Sequence, residues 1–328
     1  MKNCLENNKY LLFIGKLTVL MLILYLLDYS VGNTMRYFYF SQKSGKQYRT
    51  TYILEEVKTD ILIMGSSRAN HHYHPDTFEN ELGISFYNAG RDGNFIFYHY
   101  AILQSVLKRY TPKIVILDIL RDEFSADQIS YDRLSSLLPY YHDHPEIRPV
   151  VELRSPYERI KMFSSIYPYN SSIFTIIGGN LGIGSEIGRE NKGYVSINRT
   201  MSGSDQENIN EPAREIDPRK VAVFESFTEE CIASGVRLFI ICSPYYKSAA
   251  NVETLEIAEN IAKKHNIPFF DFSNEPAFKG RNDLFADYWH LNNDGAKVFS
   301  SIIAKEVGKD ISKTFENQRF TRHETAVE

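Results

Sequence analysis

A short turn near residue 65 carries the first side chains that can do chemistry. The apolar run from Ile61 to Met64 is followed directly by Gly65, Ser66 and Ser67. A serine at the end of a buried strand can present its hydroxyl above the sheet while its own N–H helps to bind an oxyanion, which is the geometry that nucleophilic acyl transfer needs. The same pattern fits a serine that caps the next helix and has no catalytic role.

A histidine near the other end of the chain offers that serine a partner. His290 follows Asp287 by three residues and precedes a helix that is predicted to begin near Asn293. On one turn of a loop, the carboxylate can accept a hydrogen bond from the imidazole Nδ1–H and leave Nε2 facing a serine. An isolated pair of this kind also fits a surface turn. The order of the residues and the lack of a G-x-S-x-G motif exclude the α/β-hydrolase arrangement.

The apolar pattern predicts the scaffold that would bring these residues together. Short apolar runs bounded by turn residues are typical of strands buried on both faces, and they occupy 61–65, 84–90, 113–119, 236–244 and 267–273. Helix-like stretches alternate with them at 75–82, 97–109, 217–234, 252–265 and 293–307. The alternation predicts an α/β fold, a parallel sheet flanked by helices on both faces, with ligands at the carboxyl ends of the strands.

The N-terminal region predicts attachment to a membrane. Tyr10 to Leu27 is apolar except for Lys16, and it is long enough to cross a bilayer if Lys16 extends to the near interface. Basic residues lie on both sides, so charge does not predict the orientation. The predicted segments are a tail at 1–9, a transmembrane signal anchor at 10–28, a stalk at 29–58, an α/β domain at 59–308 with an insert at 125–215, and a polar tail at 309–328.

Composition narrows the class of protein. The chain has 328 residues, 43% of them hydrophobic, and a formal net charge of -4, so it can bury a large core. The sequence has no block of basic residues of the kind that binds a phosphate backbone, so we do not expect nucleic acid as a partner. The cysteines Cys4, Cys231 and Cys242 are too few and too scattered for a disulfide framework or a zinc site. We expect neither a metal nor an organic cofactor.

Three motifs, taken together, carry a family resemblance. They are Gly65-Ser66-Ser67 after the first strand, NAGRDGN at 88–94 after the second, and Asp287-x-x-His290-Leu-Asn before the last helix. This combination resembles the SGNH/GDSL hydrolase superfamily, and most closely its membrane-anchored, envelope-associated bacterial members. The resemblance covers roughly 59–308 without the insert. It implies a three-layer sandwich of the flavodoxin-like kind.

The resemblance also implies roles for individual residues. Ser67 matches the nucleophile, His290 the general base and Asp287 its orienting acid. Gly93 matches the glycine whose backbone N–H joins that of Ser67 in the oxyanion hole. Ser66 stands where the family usually has aspartate, and we expect its side chain to cap the turn.

The third block departs from the family pattern. Most members have Gly-x-Asn-Asp after the third strand, with the asparagine as an oxyanion donor, whereas this chain reads LDILRDEF at 117–124. Either Asn94 or Arg121 replaces that donor, or the oxyanion hole is weaker. Losing one such donor typically costs on the order of 10²-fold to 10³-fold in rate.

Other polar and aromatic residues near these motifs have structural interpretations. His71, His72 and His74 lack a carboxylate at a metal-binding spacing, so we expect them to line the pocket. Arg68 is predicted to pair with a carboxylate such as Asp118, although it can also bind an anionic group beside the serine. The aromatic runs LLPYYHDHP and SIYPYNSS fit either sugar stacking or the packing of a lid.

The function implied by the resemblance is that of a serine esterase or O-acyltransferase. It would be anchored by one helix in the cell membrane and would act outside the cytoplasm, through an acyl-enzyme, on acyl esters of an envelope glycan or related acylated carbohydrate. Proteins of envelope polysaccharide assembly are the partners that this implies. The alternative is a non-catalytic glycan-binding or polysaccharide-assembly protein with the same fold. The missing third-block asparagine favours it, and the intact set of Ser67, Asp287 and His290 opposes it.

Overall fold

The chain folds around a five-stranded parallel sheet. The structure is a computed structural model that describes residues 2–183, 190–202, 215–247 and 253–324. The sheet has the order β2-β1-β3-β6-β7, and every neighbouring pair is parallel. A separate antiparallel pair is formed by β4 and β5. The strands are β1 (Ile61–Gly65), β2 (Phe86–Asn88), β3 (Ile114–Asp118), β4 (Glu190–Asn191), β5 (Tyr194–Val195), β6 (Arg237–Cys242) and β7 (Phe269–Asp271).

Twelve α-helices surround or extend this sheet in the described residues. They are α1 (Lys2–Phe40), α2 (Gly45–Glu55), α3 (Ser67–His72), α4 (Pro75–Leu82), α5 (Ile96–Arg109), α6 (Gln128–Asp132), α7 (Arg148–Val151), α8 (Glu158–Lys161), α9 (Ile173–Asn180), α10 (Pro218–Ala233), α11 (Glu253–Lys264) and α12 (Asn293–Glu324). Residue 252, predicted to be helical, lies outside the described residues. Helix α12 covers most of the predicted C-terminal tail, whose last four residues also lie outside them.

The two faces of the sheet bury two separate hydrophobic clusters. Leu62 and Met64 of β1 face one cluster, which also contains the apolar sides of α5, α10 and α11. Ile61 and Ile63 face the other, which is covered by α3, α4 and α12. Alternate residues of a strand point to opposite faces, so a strand between two helical layers must be apolar throughout. The predicted three-layer α/β fold is confirmed.

The segment predicted as a stalk is helical and partly packed. In the part of the chain that the structure describes, one helix is long and apolar enough to cross a membrane, over Lys9–Phe40. Residues 29–40 therefore continue α1 without a break. Helix α2 buries Ile53 and Leu54 in the cluster under α5, and Arg109 donates hydrogen bonds to the Ile53 and Val57 carbonyl oxygens. The chain between the apolar stretch and the sheet thus packs against the domain.

The insert lies along α1 and over one end of the sheet. It contains α6 to α9 and the hairpin of β4 and β5, while 184–189 and 203–214 lie outside the described residues. The hairpin turn has positive φ at Lys192 and Gly193, and the Lys192 carbonyl accepts a hydrogen bond from the Asn88 N–H at the end of β2. A Cβ at Gly193 would collide with the Asn88 carbonyl oxygen, so the hairpin can approach β2 only because this residue is glycine.

A buried carboxyl in the third block, at 117–124, makes the stability of the fold depend on pH. Glu123 is buried, and its two carboxyl oxygens accept the Ile96 N–H, at 2.6 Å, and the Leu120 N–H, at 3.3 Å. Burial raises the pKa of Glu123 to about 7 from its usual 4.5, against the opposing charge of Lys220. Because the pKa of Glu123 is higher in the folded chain than in the unfolded chain, the folded chain binds the proton more tightly. The protonated carboxyl therefore stabilises the fold fully below pH 4.5, and this stabilisation is lost as the pH rises to about 7.

We therefore expect Glu123→Gln to flatten the pH dependence of stability. Between pH 4.5 and about 7 the contribution to the free energy of unfolding amounts to about 3 kcal/mol. Denaturant unfolding across this range measures it. Burial also raises the pKa of Asp118, to about 6, and this carboxyl remains in the variant, so the slope should fall but not vanish. An unchanged slope would show that Glu123 does not titrate there.

Candidate active site

The turn after β1 places a serine hydroxyl at the carboxyl end of the sheet. Gly65 has a φ of +142°, and a Cβ there would collide with the Asp118 carbonyl oxygen of β3. The chain then turns at once into α3, of which Ser67 is the first residue. Ser66 occupies the N-cap position, but its side chain makes no capping hydrogen bond, so the predicted capping role of that hydroxyl is wrong.

Ser67, His290 and Asp287 form one chain of hydrogen bonds. The Ser67 Oγ lies 2.8 Å from His290 Nε2, and His290 Nδ1 lies 2.9 Å from Asp287 Oδ1. Since a carboxylate only accepts, Nδ1 carries the proton and Nε2 is left to accept one from the serine hydroxyl. Burial opposes ionisation of Asp287, but the hydrogen bonds that it accepts from the His290 ring and from neighbouring N–H groups outweigh it and hold the pKa of Asp287 well below its usual range. The carboxylate is therefore charged and positioned to orient the imidazole.

The loop that carries His290 is fixed by hydrogen bonds between two of its side chains and its backbone N–H groups. Asp287 Oδ1 also accepts the N–H groups of Trp289 and His290, both at 2.9 Å. The Asn292 side-chain oxygen accepts the N–H groups of Asp294 and Gly295 at the start of α12. Asp287 and Asn292 thus fix the two ends of the short segment that carries the imidazole. The Asp-x-x-His spacing lets one carboxylate bind both the backbone of this segment and the His290 ring.

Two residues outside the predicted set also hold this loop. Arg199, in the insert, donates from its guanidinium to Asp287 Oδ2 at 2.6 Å. His72 accepts the Leu291 N–H at its Nε2, at 3.0 Å, so its Nδ1 is the protonated nitrogen and donates to Ser243 Oγ. Burial lowers the pKa of His72 well below its usual value, which favours this neutral form. His72 is a positioning residue that joins α3 to the histidine loop.

Beside the triad, one aromatic ring is held between two guanidinium groups. Tyr245 has the Arg68 guanidinium carbon 3.4 Å from its ring centroid and that of Arg121 3.5 Å from it. Two groups this close to one centroid can only lie on opposite faces. Arg121 also donates to the Lys247 carbonyl oxygen, at 3.1 Å. These contacts place Arg121 with Tyr245, and within the described part of the chain Arg121 makes no hydrogen bond to Ser67 or His290.

The predicted pairing of Arg68 with Asp118 is not a direct ion pair. The Arg68 guanidinium donates to the hydroxyl and carbonyl oxygens of Ser243 and to the Pro244 carbonyl. Asp118 instead accepts a hydrogen bond from the Tyr73 hydroxyl at 2.6 Å. Burial raises the pKa of Asp118 to about 6, although the nearby charge of Arg68 opposes that rise. The arginine therefore braces the end of β6 against α3.

The predicted oxyanion donors lie on a loop tied to α3. Asp92 Oδ1 accepts the Asn70 side-chain N–H at 2.6 Å and faces His71 Nε2 at 3.3 Å. Burial alone would raise the pKa of Asp92, but these bonds, together with the positive charge of Lys46, hold it well below its usual range. Gly93 follows with a φ of +70°. The carboxylate thus fixes the loop on the helix that Ser67 begins.

Two backbone donors in this region are left unused. Among the residues that the structure describes, the N–H groups of Ser67 and Gly93 donate no hydrogen bond within the protein. Asn94 is buried, and its amide donates to the Asp92 carbonyl oxygen at 3.2 Å, while its side-chain oxygen has no partner within the described part of the chain. The Asn94 amide has a second N–H, so it stays a predicted oxyanion donor together with the backbone N–H groups of Ser67 and Gly93.

The three neighbouring histidines have separate partners. His71 Nδ1 lies 2.6 Å from the Val195 carbonyl oxygen of β5, and its ring packs edge-on to His290 with centroids 5.5 Å apart. His74 lies with its Nδ1 3.2 Å from the Thr77 hydroxyl. His72 also packs edge-on to His290, with centroids 6.3 Å apart, so His71 and His72 both face the base as the pocket interpretation expects, whereas His74 serves the surrounding structure.

Comparison with known proteins adds a likeness of fold. No family model matches the sequence, and no curated protein matches it. Solved structures with a similar fold include a Bacteroides fragilis protein described as an acylhydrolase, with 13% identity, a TM-score of 0.43, and coverage of 81% of this chain and 97% of that one. An acetyl xylan esterase has 11% identity, a TM-score of 0.39, and coverage of 76% and 99%. A GDSL-like lipase from Bacteroides thetaiotaomicron has 12% identity, a TM-score of 0.38, and coverage of 76% and 88%.

These solved structures are described as an acylhydrolase, an acetyl xylan esterase and a GDSL-like lipase, which are the kinds of protein that the sequence resemblance implied. At such low identity the likeness concerns the fold alone. The chemistry has to be inferred from the side chains of this chain.

Proposed function

We propose that this protein is a membrane-anchored serine esterase or O-acyltransferase that acts, through an acyl-enzyme, on acyl esters of an envelope glycan or a related acylated carbohydrate. The observation that carries the proposal is the continuous hydrogen-bonded chain from Ser67 through His290 to Asp287. The backbone N–H groups of Ser67 and Gly93, which make no hydrogen bond within the described residues, support the second requirement of acyl transfer, donors for the oxyanion.

The reaction follows from this geometry. Ser67 Oγ bonds to the acyl carbonyl carbon as its proton passes to His290 Nε2, and the carbonyl oxygen takes up negative charge that the N–H groups of Ser67 and Gly93 stabilise. When the carbonyl re-forms, the ester C–O bond breaks and the departing sugar oxygen takes the proton from His290. Water or a second sugar hydroxyl then attacks the acyl-enzyme and gives its proton to His290. Release of the acyl product returns that proton to Ser67.

Labelling with a fluorophosphonate probe tests the proposal. The full chain in native membranes should be labelled, because the probe reacts with a serine that a neighbouring base activates. Heat-denatured membranes and Ser67→Ala should give no labelling. If the folded chain is not labelled, or if Ser67→Ala is labelled as strongly as the parent, the triad is not active and the non-catalytic glycan-binding interpretation takes its place.

An aromatic side chain beside the base favours a carbohydrate substrate. Trp289, between Asp287 and His290 in sequence, is 38% exposed and packs edge-on against Tyr245 with ring centroids 6.0 Å apart. A flat apolar face of this kind stacks well on the apolar face of a sugar ring. We expect Trp289→Ala to raise KM for an acetylated oligosaccharide about tenfold, which corresponds to about 1.4 kcal/mol of lost stacking.

Two controls isolate the sugar contact. Trp289→Phe keeps a flat ring and should retain most of the affinity, and p-nitrophenyl acetate, which has no sugar, should be hydrolysed at a similar kcat/KM by the parent and by Trp289→Ala. Equal losses on both substrates would instead show that the indole supports the histidine loop.

The apolar part of α1 is proposed to anchor the chain with its domain outside the cytoplasm. Leu11, Leu20 and Leu26 are more than half exposed, as are most of their apolar neighbours, so this stretch has no protein to cover it. We expect the chain to remain with membranes after a carbonate wash. A reporter enzyme fused after residue 328 should be active only in its extracytoplasmic form, and cytoplasmic reporter activity would exclude an envelope glycan as the substrate.

A further inference from the structure

One loop of the insert exposes large apolar side chains. Around α8, Tyr157 and Ile160 are each 64% exposed and Phe163 is 85% exposed. Pro156 and Arg159 in the same loop are also exposed. Isolated apolar residues on a surface are ordinary, but an aromatic, aliphatic and aromatic set within seven residues forms an apolar patch that needs a partner. We refer to residues 156–163 as the α8 loop.

The polar residues of this region hold the loop in that arrangement. Glu158 is 1% exposed and accepts hydrogen bonds from Arg154, Lys161, Tyr167 and Ser155. Several of these contacts span only three or four residues, so they bind the loop to its own base. The carboxylate of Glu158 is therefore buried against the protein, while the apolar side chains of the loop are exposed.

A second set of contacts fixes the position of the α8 loop along α1. Asp28 accepts the Ser164 hydroxyl and, at 2.6 Å, the Ser165 N–H. Gly32, one turn further on, lies so close to Ser165 that a Cβ there would collide with it. Asp28 is the first residue after the apolar stretch that ends at Leu27. Phe163, adjacent to Ser164, therefore lies beside the point on α1 where the apolar stretch ends.

We propose that the α8 loop is a second membrane contact, which inserts Tyr157, Ile160 and Phe163 into the interfacial layer of the leaflet from which α1 emerges. This inference rests on the anchoring role of α1 in the proposed function, and not on the triad. Aromatic rings with a neighbouring cation are favoured at this depth, because the rings bury apolar area while a group such as Arg159 meets the anionic headgroups. The bilayer is the occupant that the position of the loop beside Leu27 predicts.

A second exposed apolar surface provides an internal comparison. Phe174, on α9, is 89% exposed, but α9 contacts α1 much further from the apolar stretch, where Asn180 donates to the Phe38 carbonyl oxygen at 2.8 Å. Ten residues separate Asp28 from Phe38, which is about 15 Å along a helix. Phe163 and Phe174 are thus two phenylalanines of the insert with similar exposure, 85% and 89%, that lie at different distances from the apolar stretch of α1.

Quenching by brominated lipids tests the proposal on the full chain in lipid nanodiscs. In a Trp289→Phe background, which removes the single tryptophan, Phe163→Trp and Phe174→Trp each carry one fluorophore. Lipids brominated near the headgroup end of the acyl chain should quench most of the Phe163→Trp emission. They should quench Phe174→Trp no more than they quench Trp289 of the parent.

The outcomes separate this proposal from the proposed function. If Phe163→Trp in nanodisc-bound chain is quenched no more than Phe174→Trp, the α8 loop does not enter the bilayer, and a protein partner is left as its occupant. If the chain does not incorporate into nanodiscs at all, the anchor itself is wrong, and the second contact falls with it. Loss of fluorophosphonate labelling alone would count against the triad and leave the α8 loop unaffected.

Discussion

Ser67→Ala should reduce the hydrolysis of p-nitrophenyl acetate on the order of 10⁴-fold or more, to near the background rate. The substitution removes the atom that bonds to the acyl carbon, and in serine hydrolases such a loss leaves only the residual catalysis of the oxyanion hole and of binding. Ser67 Oγ lies 2.8 Å from His290 Nε2, and alanine cannot make this contact. Steady-state kcat and KM on the purified full chain measure the effect.

Ser66→Ala is the matched control for this prediction. Ser66 is 3% exposed, stands next to Ser67 and makes no capping hydrogen bond with its side chain. Its replacement should therefore cost less than the roughly 1 kcal/mol of a functional cap, and should leave turnover close to that of the parent. If Ser66→Ala were the inactive variant and Ser67→Ala retained turnover, the nucleophile would be misassigned by one residue. If both variants hydrolysed the ester like the parent, the turn would have no catalytic role.

Gly93→Ala should lower kcat on the order of 10²-fold to 10³-fold, the usual cost of an oxyanion-hole donor. Gly93 has a φ of +70°, which an alanine adopts only with strain, and a Cβ at this position would lie 3.2 Å from the Arg133 guanidinium carbon. Either effect moves the backbone N–H that is proposed to face the oxyanion. Turnover of p-nitrophenyl acetate at saturation measures the loss.

Gly83→Ala separates strain from catalysis in this experiment. Gly83 ends α4 with a φ of +67°, nearly that of Gly93, and a Cβ there would meet nothing within 4 Å. Both variants should lose stability to denaturant through backbone strain, but only Gly93→Ala should lose turnover. If Gly93→Ala keeps the kcat of Gly83→Ala, the oxyanion is stabilised elsewhere.

The sheet and the triad residues could be predicted from sequence because their signals are local. All five predicted strands form, and β1 ends at Gly65 as the apolar run indicates. The Asp-x-x-His spacing indicates a contact within one loop, where three residues suffice to bring the carboxylate to Nδ1. The contact between Ser67 and His290 spans 223 residues, and only the combination of motifs suggested it.

Other parts of the site depend on contacts that leave no local pattern. Arg199 reaches Asp287 from an insert without periodicity, and Tyr245 is held between two arginines that lie far apart in sequence. Neither the arginine at 199 nor the tyrosine at 245 is unusual in its local sequence, so neither indicates a role in the site. Arg121 was predicted as an oxyanion donor only because it stands in the third block. The Arg121 side chain contacts Tyr245 and Lys247, which does not support that role, so the role stays a prediction.

The unbroken course of α1 has a consequence for how the protein would meet the proposed substrate. A flexible tether would let the domain sweep a volume, whereas a helix that runs through Phe40 and is held at Asp28 by the insert carries the domain at a set distance. From Asp28 to Phe40 the helix rises about 18 Å. With α1 in a bilayer, the search for substrate becomes two-dimensional, and acyl groups within one thin layer parallel to the membrane are the ones within reach.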